Sequence, residues 1–249
     1  DLTAAVAPDG EFTDATLRGA ALADASLEGA TFDDATLQRA TLDDADLGRA
    51  TLDRATLDRA TLTGATLDDA SLTEATLANS RAANATLVGA TLDETDCRAV
   101  EFTGAVFDGA TLAGATLTDA TLTDATLSAA VAGGVDAVGA SFAGATLTDA
   151  ELDETTLTRT DFSEANLDDV DLTDATLQNS DLSAATAERA TADDADFAGA
   201  TLDGLTAPDA SLRRVTLTDA DTAGVDLSGA DLQEATLVEA DLTEATLAE

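Results

Sequence analysis

Apolar residues fall on a fixed five-residue beat from one end of the chain to the other. Reading every fifth residue from Leu2 gives Leu at 34 of 50 positions and Phe at seven more. Reading every fifth residue from Ala5 gives Ala at 37 of 49 positions, and most exceptions, such as Gly10, Ser80, Thr95, Val100 and Val135, are small or β-branched. The unit is Ala, then Thr or Asp, then Leu or Phe, then two small or polar residues, as in Ala50-Thr51-Leu52-Asp53-Arg54. No insertion or deletion breaks the phase between Asp1 and Glu249.

A period of five does not suit an α-helix, where about 100° per residue would place successive leucines ~140° apart and circle them around the axis. Within the unit, Ala and Leu are two residues apart, so an extended segment points both to one side. The residue between them and the two after Leu point outward or turn a corner. A short extended piece followed by a tight turn, repeated in phase, winds the chain into a β-solenoid. Glycine marks the corners: 14 of the 17 glycines, among them Gly19, Gly64 and Gly144, stand two residues after the central Leu or Phe position. A tight corner asks for dihedrals that other residues resist.

This pattern resembles the pentapeptide-repeat family, whose unit is Ala, Asp or Asn, Leu or Phe, then two variable residues, and the resemblance covers essentially the whole chain. It implies an all-β fold, a right-handed quadrilateral β-helix with four units per coil. About 12 coils at the ~4.8 Å spacing of stacked strands would make a rod ~60 Å long. Here the family's usual Asp or Asn before Leu is mostly Thr, which leaves the inward pattern intact. The continuous phase predicts one array over residues 1–249. Both ends stay in repeat without visible caps, an arrangement that suits a segment of a longer protein, or self-association by end-to-end stacking.

Nine central positions hold something other than Leu or Phe: Ala7, Ala82, Cys97, Ala132, Ala137, Ala187, Ala192, Ala207 and Thr222. Each thins the core unless neighbours close in. The stretch from Ser128 to Ala140, with Gly133, Gly134 and two adjacent Ala centres, is expected to be the weakest. Cys97, at an inward position, is expected to be a buried, inert thiol. Arg39 and Arg59 share a corner one coil apart, with Arg49 and Arg54 on neighbouring corners and Asp33, Asp34, Asp43, Asp44, Asp53 and Asp58 around them. This cluster predicts an ion-pair network on the rod surface. Columns of Thr invite an ice-binding reading, but outward Thr pairs flanking a Leu do not stack on consecutive coils of one face.

Charge narrows the function classes. Fifty acids against 11 bases give a formal net charge of -39, and every base is Arg. Without His there is no His-based triad and no His general base, and a single cysteine supplies neither an intramolecular disulfide nor a Cys-rich metal site. No basic groove for nucleic-acid phosphates is available, and no apolar run of about 18 residues could span a membrane as a helix. General acid–base chemistry needs two carboxylates in unlike environments, whereas the acids here repeat on an open exterior. The chain therefore reads as non-enzymatic, with no catalytic, cofactor-binding or metal residue assigned and diffuse cation binding along the acid columns.

Two readings of the charge compete. Asp exceeds Glu by 37 to 13, Lys is wholly replaced by Arg, and Ala and Thr are abundant, a composition similar to that of extreme-halophile proteins. At 1 M salt the Debye length is ~3 Å, so closely spaced surface charges hardly repel one another. That reading expects a structural rod or interaction scaffold with protein partners. The alternative is a DNA mimic, since -39 along ~60 Å is about one negative charge per 1.5 Å, near the ~1.7 Å of duplex DNA; the resemblance to the pentapeptide-repeat family implies binding or inhibition of a DNA-binding enzyme such as gyrase.

Overall fold

The computed structural model describes residues 1–247. Numbering each unit from the residue before the central Leu, the unit 51–55 accounts for all five of its backbone amides. Thr51 N–H donates to the Ala30 carbonyl of the preceding coil at 3.0 Å, and Leu52 and Arg54 N–H donate to Ser71 and Thr73 of the following coil at 2.7 and 2.9 Å. Ala55 N–H returns to the Leu52 carbonyl at 3.0 Å and closes a four-residue turn. The third amide, on Asp53, has no ladder partner and is taken by the carboxylate of Asp33 at 3.3 Å. A chain that bends every five residues keeps most of its backbone amides paired because each coil serves as template for the next.

The turn explains the corner chemistry. Arg54 has φ of 57° beside a closing bond from Ala55 to Leu52, the signature of a type II turn. All 49 described fourth positions from Ala4 to Glu244 lie in this left-handed region, 14 of them Gly and 35 not. A non-glycine residue there costs on the order of 1 kcal/mol. The cost is tolerated because the fourth amide and the third carbonyl are both locked into the ladder.

First-position residues pair in parallel with the residue 20 further along, from Val6 with Ser26 to Asp226 with Thr246, and the register holds throughout the described residues. Twenty residues are four units, so each coil has four sides. The pairs are isolated bridges, not the three-residue extended segments that the Ala–Thr–Leu spacing suggests. The physical reason is that the third and fourth residues are spent on the turn, and only the first residue of each unit contributes both its amide and its carbonyl to neighbouring coils.

Second- and fifth-position side chains fill the interior from Leu22 to Leu227. Because coils stack in register, phenylalanines 20 residues apart stack face to face: Phe12 on Phe32 with centroids 4.7 Å apart and Phe142 on Phe162 at 5.0 Å. Phe102 and Phe107, on adjoining sides of one coil, meet edge to face at 4.8 Å. Most polar intruders at the fifth position are paired: Thr155 Oγ1 donates to the Leu152 carbonyl at 2.6 Å, Ser180 Oγ to that of Leu177 at 2.7 Å and Thr160 Oγ1 to that of Ala137 in the preceding coil at 3.0 Å, while the buried Ser80 hydroxyl has no partner among the described residues. No Asp, Glu or Arg is buried among the described residues.

The core thins in a different place from the one expected. Ala132 and Ala137 are closely covered, at 3% and 0% exposure, because Val135 stands between them where the repeat usually has Ala. The apolar cavity, about 40 Å³, lies instead among Ala187, Ala192, Ala207, Phe197 and Leu212. Ala187 and Ala207 are consecutive in one interior column, Ala187 and Ala192 are neighbours in one coil, and the residue between that pair is Ala190. No larger side chain fills the gap there.

Candidate functional site

With the second and fifth side chains in the core and the first in the ladder, recognition falls to the third and fourth positions, which form four edges running along the rod. Aspartate does structural work on these edges. All 13 Asp or Asn residues at first positions accept from the third amide of their own unit, as Asp171 does from Thr173 N–H at 2.9 Å and Asn166 from Asp168 N–H at 2.9 Å. Where the first residue is Thr or Ser, a second device appears. An Asp at the third position of the preceding coil reaches the same amide in eight units, for example Asp43 to Thr63 N–H at 2.9 Å and Asp68 to Val88 N–H at 3.0 Å. In these eight units the replacement of the usual Asp by Thr or Ser is thus compensated by an Asp 18 residues earlier. Sequence reasoning missed this, although the Asp-at-third-position columns were its visible signal.

Six first-position threonines, among them Thr51, Thr61 and Thr111, have their hydroxyl oxygens closed off from solvent. They present no hydroxyl array to water, which removes the structural basis of an ice-binding face there.

Arginine pairing follows the ladder. A fourth-position Arg with an Asp at the same corner one coil earlier grips that carboxylate with two nitrogens: Arg54 on Asp34, Arg189 on Asp169 and Arg214 on Asp194. These guanidiniums, chiefly through the hydrogen bonds, hold the carboxyls of Asp34, Asp169 and Asp194 below the usual carboxylate range. Arg49, which follows Gly29 at its corner, reaches Glu28 at 2.6 Å. The expected ion-pair network therefore includes Arg49 and Arg54 but not Arg39 and Arg59, which have no carboxylate within 4.0 Å among the described residues. At their corner the residues one coil earlier are Gly19 and Arg39, neither of which can accept.

Cys97 is fully buried, and desolvation pushes its thiol up to about 12, so the nucleophilic thiolate is not populated near neutrality. No group of three or more Asp, Glu or Cys residues among the described residues is arranged to hold a metal ion, and no helix is long and apolar enough to cross a membrane.

The five-residue repeat agrees with a known family model. The family model for pentapeptide repeats matches eight copies, over residues 11–49, 40–79, 70–109, 101–136, 125–163, 138–174, 165–204 and 210–247. Among solved structures the chain is similar to HetL, a pentapeptide repeat protein involved in heterocyst differentiation regulation from the cyanobacterium Nostoc sp. strain PCC 7120, at 28% identity over 95% of this chain and 90% of that one, with a TM-score of 0.48. It is also similar to QnrB1, a plasmid-mediated fluoroquinolone resistance protein, at 19% identity over 73% of this chain and 91% of that one, with a TM-score of 0.49. A third, from the Arabidopsis thaliana thylakoid lumen, is 32% identical over 37% of this chain and 61% of that one, with a TM-score of 0.24. No curated protein sequence matches the chain.

Proposed function

The chain belongs to the pentapeptide-repeat family, and we propose that it is a non-enzymatic interaction scaffold: a single right-handed rod of about 12 coils whose edges engage a protein partner. The observation that carries this reading is the unbroken 20-residue register from Val6–Ser26 to Asp226–Thr246, which keeps third- and fourth-position side chains in straight columns. Such a rod has a fixed display of side chains and needs no moving part, which suits binding better than turnover. Cross-linking at native salt in the source organism tests it. The expected result is a defined protein partner joined to third- and fourth-position residues; links scattered over many unrelated proteins would overturn it.

The same reading includes adaptation to high salt, supported by the Asp excess, the exclusive use of Arg and the charge of -39. Screening at molar salt removes the self-repulsion that would drive such a surface apart in dilute buffer. Circular dichroism should show ordered structure in multimolar KCl and its loss on dialysis, and equal stability in dilute buffer would refute the halophilic element. DNA mimicry is the second reading, favoured by a charge spacing of about 1.5 Å against ~1.7 Å for the duplex. It requires inhibition of a gyrase, or competition with duplex DNA for a DNA-binding enzyme, at the same salt.

A further inference from the structure

We propose that the edge formed by Arg18, Arg39 and Arg59 is a binding site for a compact oligophosphate, a ligand with two or three linked phosphoryl groups. The inference is independent of the scaffold reading and begins from a local reversal of sign. In a chain with 50 acids and 11 bases, the corner arginines Arg54, Arg189 and Arg214 are neutralised by an Asp one coil earlier and Arg49 by Glu28, while Arg159, which follows Gly139, is a single arginine with no arginine neighbour at its corner. Here the fourth-position column runs Gly19, Arg39, Arg59, Asn79, and the adjoining third-position column runs Arg18, Gln38, Asp58, Ala78. None of the three arginines has a carboxylate within 4.0 Å among the described residues.

The three side chains share a depression of about 410 Å³ with Gln38, Asn79 and Asp58. Three guanidiniums face one carboxylate, so the depression carries a net positive charge on a strongly negative rod. Arg59 and Asn79 also border a second hollow of about 400 Å³, where Arg81 is already engaged by Glu101 at 3.4 Å. The first hollow thus gathers more of the unspent donors, Arg18 and Arg39 together with Arg59.

The chemistry of the donors selects the ligand. Guanidinium presents a planar fork that matches phosphate oxygens two at a time, and the amide groups of Gln38 and Asn79 add neutral donors at the rim. Arg39 and Arg59 stand at one corner one coil apart, ~4.8 Å along the axis, close enough for linked phosphoryl groups to engage both forks. The flanks set the size limit. The preceding edge carries Asp33, Asp34 and Asp53, and the following edge carries Asp24, Asp43 and Asp44. A polyanion extending past the hollow would meet these acids, whereas a compact one would not.

Isothermal titration of the full chain with inorganic tripolyphosphate, at the lowest salt that preserves its circular dichroism, tests the assignment. One-to-one binding is expected, weakened about tenfold or more in Arg39→Gln/Arg59→Gln, since loss of a charge-assisted contact is worth at least that factor. The same binding should be unchanged in Arg49→Gln/Arg54→Gln, whose arginines are paired, and tightened in Asp58→Asn, which removes the one opposing carboxylate. ATP as a second probe separates the sources: binding equal to tripolyphosphate supports a nucleotide ligand, and binding of tripolyphosphate alone supports a free oligophosphate. Absence of binding, equal binding by the Arg39/Arg59 double variant, or a short DNA duplex bound as tightly through the same arginines would overturn the proposal. If the double variant loses its fold, the sign of the Asp58→Asn effect decides.

Discussion

Arg54 lies one coil beyond Asp34 and holds its carboxylate with both arms of the guanidinium, Nε 2.9 Å from Oδ1 and Nη2 2.7 Å from Oδ2. The two residues are 20 apart in sequence and occupy the same corner, so the backbone ladder itself sets their separation. Arg189 with Asp169 and Arg214 with Asp194 repeat the relation, and the register of the coil, not a local motif, pairs them.

These pairs give a pH dependence of definite sign. The guanidinium lowers the carboxyl of Asp34 in the folded state relative to the unfolded chain. Its contribution is therefore present above the unfolded carboxylate value, ~3.9, and is lost as pH falls through the lower folded value. Both partners are exposed, so the coupling at neutral pH is small. A double-mutant cycle of Arg54→Ala and Asp34→Ala should show favourable coupling at pH 7 that disappears in strong acid. Coupling that persists with the carboxyl protonated would contradict this.

Third-position amides donate to either of two carboxylates, and the exchange can be engineered. Asp68→Ala frees the Val88 amide and should destabilise the fold by about 0.5–1 kcal/mol, the net worth of one hydrogen bond. Adding Thr86→Asp should restore most of that loss by capping the same amide from within its own unit, as Asp171 caps Thr173. Denaturant titration of the single and double variants measures the rescue. No recovery in the double variant would show that the two carboxylates are not equivalent.

The cavity among Ala187, Ala192 and Ala207 is a fillable defect. Ala190→Val copies the arrangement at Val135 and should stabilise by about 1 kcal/mol, the value of some 40 Å³ of apolar void. The converse change, Val135→Ala, opens the space between Ala132 and Ala137 and should cost ~1–2 kcal/mol. Thermal unfolding of both variants tests the pair, and opposite signs are the required result.

Corner dihedrals predict a third pair of changes. Ala184 has φ of 56°, and Ala184→Gly should stabilise by roughly 1 kcal/mol by removing left-handed strain. At Gly144, with φ of 67°, an added Cβ would stand 2.7 Å from Asp124 Oδ1, so Gly144→Ala should destabilise by more than strain alone. Equal effects at the two corners would mean that the Asp124 side chain moves aside freely.

Much of this was legible in the chain. The inward pair per unit follows from period alone, and so does the corner, because Gly recurs at one place in the unit. The left-handed conformation of 35 non-glycine corners was not legible. Asp, Arg and Glu at those positions carry no local demand for positive φ, and the ladder bonds of neighbouring coils impose it. The weak point was misplaced for a similar reason. Ala132 and Ala137 look like a hole in one dimension, but the side chains that decide the matter, Val135 between the pair and the Ala187–Ala207 column, matter only once coils stack.

The sequence by itself determined the unit, the two inward positions and the excess of negative charge, because burial needs a strict period and charge is additive. Only the tertiary structure decided which charges are neutralised. Residues 20 apart in sequence become nearest neighbours along an edge, so Arg54 finds Asp34 while Arg59 finds Arg39. The same stacking rule that spends one arginine on an ion pair leaves the other free to meet a ligand.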